Sequence, residues 1–171
     1  MDFIWTPWRY SYVTSASDDD GSRRTCPFCR ILESGSSDRD SLIVHRGETN
    51  VVLLNRYPYT SGHMMVVPHA HVASLAKVSA SSADEMMRLT RRLEAILRQL
   101  YRPDGINLGM NIGRAAGAGV SGHIHMHALP RWTGDTSFAT VIGETRLLPE
   151  SLTDTWERVR AEFRRDYDGR D

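Results

Sequence analysis

The sequence predicts an α+β fold built on an antiparallel sheet. Three observations point there. Short apolar runs of strand type cluster in the first 70 residues, with turn residues between them. A long amphipathic helix follows, then two more strand-like runs, then a second helix. The order is therefore mixed, without the regular βαβα alternation of a parallel sheet.

The 171 residues suit one domain with a real core. Apolar residues make up 40% and charged residues 25%, the balance of a soluble globular chain. Formal net charge is zero, so nothing in it advertises nucleic acid, and no nucleic-acid partner is expected. No apolar run approaches the roughly 20 residues that span a bilayer. Met1 to Tyr12 is aromatic but lacks the basic-then-apolar order of a signal peptide. The expected location is cytoplasmic, with no membrane partner. The two cysteines, Cys26 and Cys29, then point to metal or redox use before a structural disulfide.

Along the chain, an aromatic segment with Trp5, Trp8 and Arg9 precedes a polar, mobile stretch from Ser15 to Arg24. A second polar loop runs from Ser34 to Asp40. Leu42 to His45 and Val51 to Asn55 read as strands around Gly47 and Asn50. Met64 to Val67 is a third strand, stopped by Pro68. The long helix is expected to start near Ser82, where Ser82 and Glu85 have capping-box spacing. Its apolar stripe is Met86, Leu89, Leu93, Ile96, Leu97 and Leu100, and Pro103-Asp104-Gly105 ends it. Ile106 to Ile112 is a further strand. Gly113 to Gly122, with four glycines and three alanines, is a loop. His123 to Leu129 is the last strand. A final helix from near Pro149 carries Trp156, Val159 and Phe163 on one face.

In His123-Ile124-His125-Met126-His127 the alternation is strict. A strand has period two, so the three histidines share one face, with neighbours about 6.6 Å apart. A single histidine in such a strand is usually an ordinary core residue. Three in alternation behind a glycine loop call for chemistry. Two imidazoles at this spacing are able to share a zinc ion. Alternatively, a neutral imidazole is a nucleophile near pH 7, while its neighbours donate N–H bonds to phosphate oxygens. The loop before the strand favours phosphate, because glycines let backbone N–H groups approach an anion closely. Cys26-Pro27-Phe28-Cys29 has zinc-knuckle spacing, with a redox pair as the alternative.

The histidine segment resembles the motif of the histidine-triad (HIT) superfamily of nucleotide hydrolases and transferases, His-φ-His-φ-His-φ-φ with φ apolar. Residues His123 to Leu129 match it position by position. Asn55-Arg56-Tyr57-Pro58-Tyr59-Thr60-Ser61-Gly62-His63, running into the strand that ends at Pro68, resembles the family's upstream segment. Trp5-Thr6-Pro7-Trp8-Arg9 and Pro130-Arg131-Trp132 resemble its bacterial diadenosine tetraphosphate phosphorylase-like branch. The similarity covers roughly residues 3–165.

The resemblance implies a HIT-like fold over the single domain, with about five antiparallel strands, a long helix and a C-terminal helix. It implies cleavage of nucleoside phosphoanhydrides, such as diadenosine tetraphosphate or related adenylylated compounds. His125 would be the nucleophile that forms a covalent nucleotidyl-histidine, and water or inorganic phosphate would release the product. His127 would bond phosphate oxygens and His63 would support the triad. Asn55 would contact ribose, and Asn111, Gly117, Gly119 and Ser121 would hold phosphate and leaving group. The family's zinc-containing members imply a structural Zn2+ on Cys26, Cys29, His71 and His123, with His69 as a rival for His71. They also imply a homodimer or larger homo-oligomer. The chain departs from its relatives in one place. The Ser or Gln-Ser usual three to four residues before the first histidine is replaced by Gly119 and Val120. The second substrate is thus open between water and phosphate. Two other readings stay beside this one: a zinc hydrolase using the triad as ligands, and a nucleotide-binding protein without turnover.

Overall fold

The computed structural model describes residues 22–135 and 149–168. The aromatic segment with Trp5, Trp8 and Arg9, and the polar stretch from Ser15 up to residue 21, lie outside the described residues.

Three strands open the sheet: β1 (Ile43–Arg46), β2 (Asn50–Leu54) and β3 (Met64–Pro68). A short helix, α1 (Pro27–Glu33), precedes them. The long helix α2 (Ala80–Tyr101) follows, then β4 (Gly105–Met110), β5 (Met126–Arg131) and the C-terminal α3 (Leu152–Asp168). The five strands are antiparallel throughout, in the order β1-β2-β3-β5-β4.

Period-two patterning explains how the middle strands are buried on both sides. Val52, Leu54, Met64, Val66, Met126 and Ala128 face α2 and α3, where they meet Met86, Leu93, Leu97, Val159 and Phe163. The intervening Val51, Leu53, Met65 and Val67 face the opposite way, against Cys26, Phe28 and Cys29 of the α1 region. Each such fully buried aliphatic side chain contributes about 1.5–3 kcal/mol of transfer free energy. One face of the sheet thus carries the helical core. The other carries the cysteine pair, and His127, opposite Met65 in the β3–β5 register, belongs to that second face.

Most strand ends differ from the sequence expectation by one or two residues, while the last strand and the long helix each start three residues away from it, for clear causes. The last strand is expected from His123, yet its ladder begins at Met126, which pairs with both Val66 and Met110. Before that point the Ile124 N–H donates to the Val72 carbonyl (2.7 Å), outside the sheet. The long helix begins three residues earlier than expected. Ser79 is its N-cap, accepting from the Ser82 N–H, so Ser82 and Glu85 form no capping box. Glu85 instead reaches the β1–β2 turn. It accepts from the Glu48 and Thr49 N–H groups, the Thr49 hydroxyl and the Asn50 amide at 2.6–2.9 Å. Burial opposes its charge, but the bonds from Thr49, Asn50 and the turn backbone prevail and hold its pKa down at about 2. Gly47 in that turn must lack a side chain, since a Cβ would lie 2.5 Å from the Glu85 carboxylate.

α2 ends at Arg102, in the left-handed region at φ 45°, just before Pro103. α3 is tied back to the first strand by Trp156, whose ring N–H donates to the Ile43 carbonyl at 2.8 Å.

Candidate active site and metal centre

Gly62 delivers His63 to the site. It adopts φ +78°, and a Cβ there would come within 2.9 Å of the Tyr101 ring at the end of α2. The loop can therefore lie flat against the helix, and His63 enters the interior just ahead of β3, 1% exposed. Its Nδ1 accepts from the Tyr59 backbone N–H (3.1 Å), and the Asn55 amide nitrogen lies 3.4 Å from the same atom. With Nδ1 accepting, the proton of the neutral ring sits on Nε2. That Nε2–H donates to His127 Nδ1 at 2.9 Å. By the same logic His127 carries its own proton on Nε2. The result is a directed chain: Tyr59 backbone, His63, His127.

His125 is oriented separately. Its Nδ1–H donates to the His123 carbonyl (2.9 Å), which leaves Nε2 as the basic nitrogen. The His125 ring stands edge-on to His127, with centroids 4.7 Å apart. Burial pushes the His125 pKa below its ordinary value. Burial, with the neighbouring His125, takes His127 down to about 4. Both rings are therefore neutral near pH 7, the form in which one supplies a lone pair and the other an N–H.

His123 turns elsewhere. It is fully buried, and its Nε2–H donates to the Pro68 carbonyl at 2.8 Å. Nδ1 then carries the lone pair and faces Cys26 Sγ (3.3 Å) and Cys29 Sγ (3.6 Å). His71 Nδ1 lies 3.3 Å from Cys29 Sγ. Four ligand atoms, from Cys26, Cys29, His71 and His123, lie within 4.8 Å of one another. His69 is not in this group. Tetrahedral coordination with metal–ligand bonds of about 2.0–2.3 Å needs donor atoms about this close, so the four residues fit a metal ion. Burial, then the neighbouring Cys26, pushes the Cys29 thiol up to about 11. A bound cation reverses that preference and deprotonates the thiols. Among the described residues, the only triad histidine in the cluster is His123.

The remaining expected residues surround this arrangement less tightly. Asn55 is half-buried and its Oδ1 accepts from the Tyr57 N–H (2.9 Å), so the side chain is partly committed to its own loop. Asn111 is half-buried just after β4, and its amide donates to the Gly117 carbonyl at 3.4 Å. Gly117 closes the turn Arg114–Ala116 with φ 86°. Gly119 is exposed and Ser121 half-buried in the same loop.

Two participants escaped the sequence reading. Tyr59 supplies the N–H that sets the His63 tautomer, and its ring lies 4.8 Å from that of His63. Phe28, between the cysteines, touches both His123 and His125, with ring centroids 5.4 and 5.1 Å away. Phe28 was detectable as the apolar residue inside the Cys-Pro-Phe-Cys knuckle. Tyr59 had no signal beyond lying four residues before His63.

A family model described as the HIT domain matches residues 36–134. The AP-4-A phosphorylase of Mycobacterium tuberculosis (strain H37Rv) is 36% identical over 166 residues, covering 95% of this chain and 84% of that protein. Among solved structures, a Zn-bound histidine triad family protein from Mycobacterium smegmatis superposes with TM-score 0.69 at 25% identity, covering 87% of this chain and 100% of that one. The Plasmodium falciparum diadenosine triphosphate hydrolase shares the fold with TM-score 0.60 at 14% identity, covering 78% and 80%.

Proposed function

The chain belongs to the HIT-domain family, and on that premise we propose that it is a nucleotidyl hydrolase or transferase acting on diadenosine polyphosphates such as diadenosine tetraphosphate, through a covalent nucleotidyl-histidine. The observation that carries this reading is the opposed orientation of two neutral imidazoles, one buried and one half-buried. His125 has its Nδ1–H tied to the His123 carbonyl and offers Nε2. His127 has Nδ1 tied to His63 and offers Nε2–H.

The reaction then runs in two displacements. His125 Nε2 attacks the α-phosphorus, the bond to the bridging oxygen breaks, and ATP departs from diadenosine tetraphosphate. His127 Nε2–H bonds a phosphate oxygen as charge shifts onto it, and His63 and the Tyr59 N–H keep that proton aimed outward. Water or inorganic phosphate next attacks the phosphorus, the N–P bond breaks, and His125 returns to its neutral form. Water yields AMP, and phosphate yields ADP. Asn55 is assigned to the ribose. Asn111, Gly117, Gly119 and Ser121 are assigned to phosphate and leaving group.

The metal is assigned as Zn2+, because two thiolates with two imidazoles is a zinc donor set. Held by Cys26, Cys29, His71 and His123, it would have four protein ligands and would supply structure in place of a reacting water. This favours the staple over a zinc hydrolase built on the triad. The 171 residues are read as one domain acting in the cytoplasm on a nucleotide, without a nucleic-acid partner. No described helix is long and apolar enough to cross a membrane. The protein is read as a homodimer or larger. β4 ends the sheet with its outer edge unpaired among the described residues, and Leu108 on it is 45% exposed.

Incubation with diadenosine tetraphosphate, with and without inorganic phosphate, tests the reading. ADP plus ATP only when phosphate is present identifies a phosphorylase, and AMP plus ATP a hydrolase. Tight AMP binding without turnover of any adenylylated substrate would replace the proposal with a nucleotide-binding protein.

A further inference from the structure

Three features link the cysteine–histidine cluster to the nucleophile. First, His123 serves both: its ring faces Cys26 and Cys29, while its carbonyl accepts the His125 Nδ1–H. Second, the Ile124 N–H donates to the carbonyl of Val72, the residue after His71. The backbone between His123 and His125 is thereby fastened to the segment carrying another cluster residue. Third, Phe28 sits between the two cysteines in sequence and contacts both imidazoles. Sheet pairing holds His125 only from its C-terminal side, because the β5 ladder starts at Met126, one residue after the nucleophile.

From these we infer that the Cys26–Cys29–His71–His123 cluster, when it holds its metal, is the positioning device for His125, replacing the strand pairing that stops short of it. The inference rests on the metal reading above and goes beyond a staple for the fold. Loading and nucleotide binding are then linked through one short backbone segment, and linkage is reciprocal. Metal occupancy orders His123–His125 for nucleotide, and nucleotide in turn tightens the metal.

The experiment uses the full-length protein with its metal content measured, before and after EDTA treatment and again after Zn2+ is restored. Hydrogen exchange is followed in a peptide spanning residues 122–126 and, as reference, in a peptide from the middle of α2. Metal loss should raise exchange in 122–126 and leave α2 protected. kcat should fall about 10- to 100-fold, the usual scale for losing support of a site, AMP affinity should weaken about 5-fold or more, and Zn2+ should restore both. In the fully loaded, folded protein, saturating AMP should reduce chelator-driven metal loss by about 5-fold or more. Unchanged exchange at 122–126 after metal loss overturns the inference, as does equal loss of protection in α2, which would make the cluster a general fold staple. AMP without effect on metal retention also overturns it. A protein that takes up no Zn2+ overturns it through the metal reading, and the product assay with diadenosine tetraphosphate separates that outcome from failure of the nucleotidyl-transfer reading.

Discussion

The neutral state of His127 has a consequence for stability. Burial holds its folded pKa at about 4, below the usual unfolded value of about 6.5. Between those values the unfolded chain binds a proton that the folded ring refuses. Stability is therefore fully present above about pH 6.5, falls as the pH drops toward 4, and levels off below, as far as this group contributes. Urea midpoints between pH 4 and 7 should show this slope, and a His127→Gln variant should show a shallower one; equal slopes would refute the assignment. For His125 the expectation is chemical. His125→Ala should lower kcat by about 10³-fold or more, the scale seen when a covalent nucleophile is removed. Rapid quench should detect no nucleotidyl-enzyme in that variant. Near-normal turnover would remove His125 from the role.

Elements explain why these residues meet. The β1–β2 turn is locked from outside by Glu85 of α2, which collects four hydrogen bonds from residues 48–50. Glu85→Ala removes the acceptor of the Glu48 and Thr49 N–H groups and the Thr49 hydroxyl, while Asn50 Nδ2 keeps the Ser82 carbonyl. It should cost about 1–3 kcal/mol, measured by chemical denaturation, because these part-buried donors lose a charged acceptor. A loss within experimental error would show that water replaces the carboxylate freely. Sequence reading singled out Glu85 for its spacing to Ser82, which suits a cap. A cap needs only local spacing, whereas the partners Glu85 takes lie more than 30 residues upstream, a relation that periodicity does not encode. The strand containing the triad was likewise legible as an alternation. Its start was not, because His123 and Ile124 are held by Cys26, Cys29, Pro68 and Val72 instead of by a neighbouring strand.

At the scale of the molecule, the sheet divides the labour. Its helical face supplies the core, and its other face carries the histidines and cysteines. The β4 edge is the natural place for a second copy to continue the sheet. Light scattering should find a dimer or larger. Leu108→Asp, which puts a charge on that edge, should shift it toward monomer; a monomeric wild-type protein would refute the assembly. Much of this plan was readable without coordinates. The α+β class and the apolar stripe of α2 follow from hydrophobic period, which acts locally and repeats. The histidine alternation and the Cys-x-x-Cys spacing follow from local sequence in the same way. Tertiary structure alone decided how the seven-residue triad segment is partitioned. It turned His123 toward Cys26 and Cys29, gave His125 a carbonyl for its Nδ1–H, and set His63 and Tyr59 behind His127. Each of these relations joins a ring nitrogen to a partner set by packing, and the tautomer that makes an imidazole donor, acceptor or ligand depends on that partner.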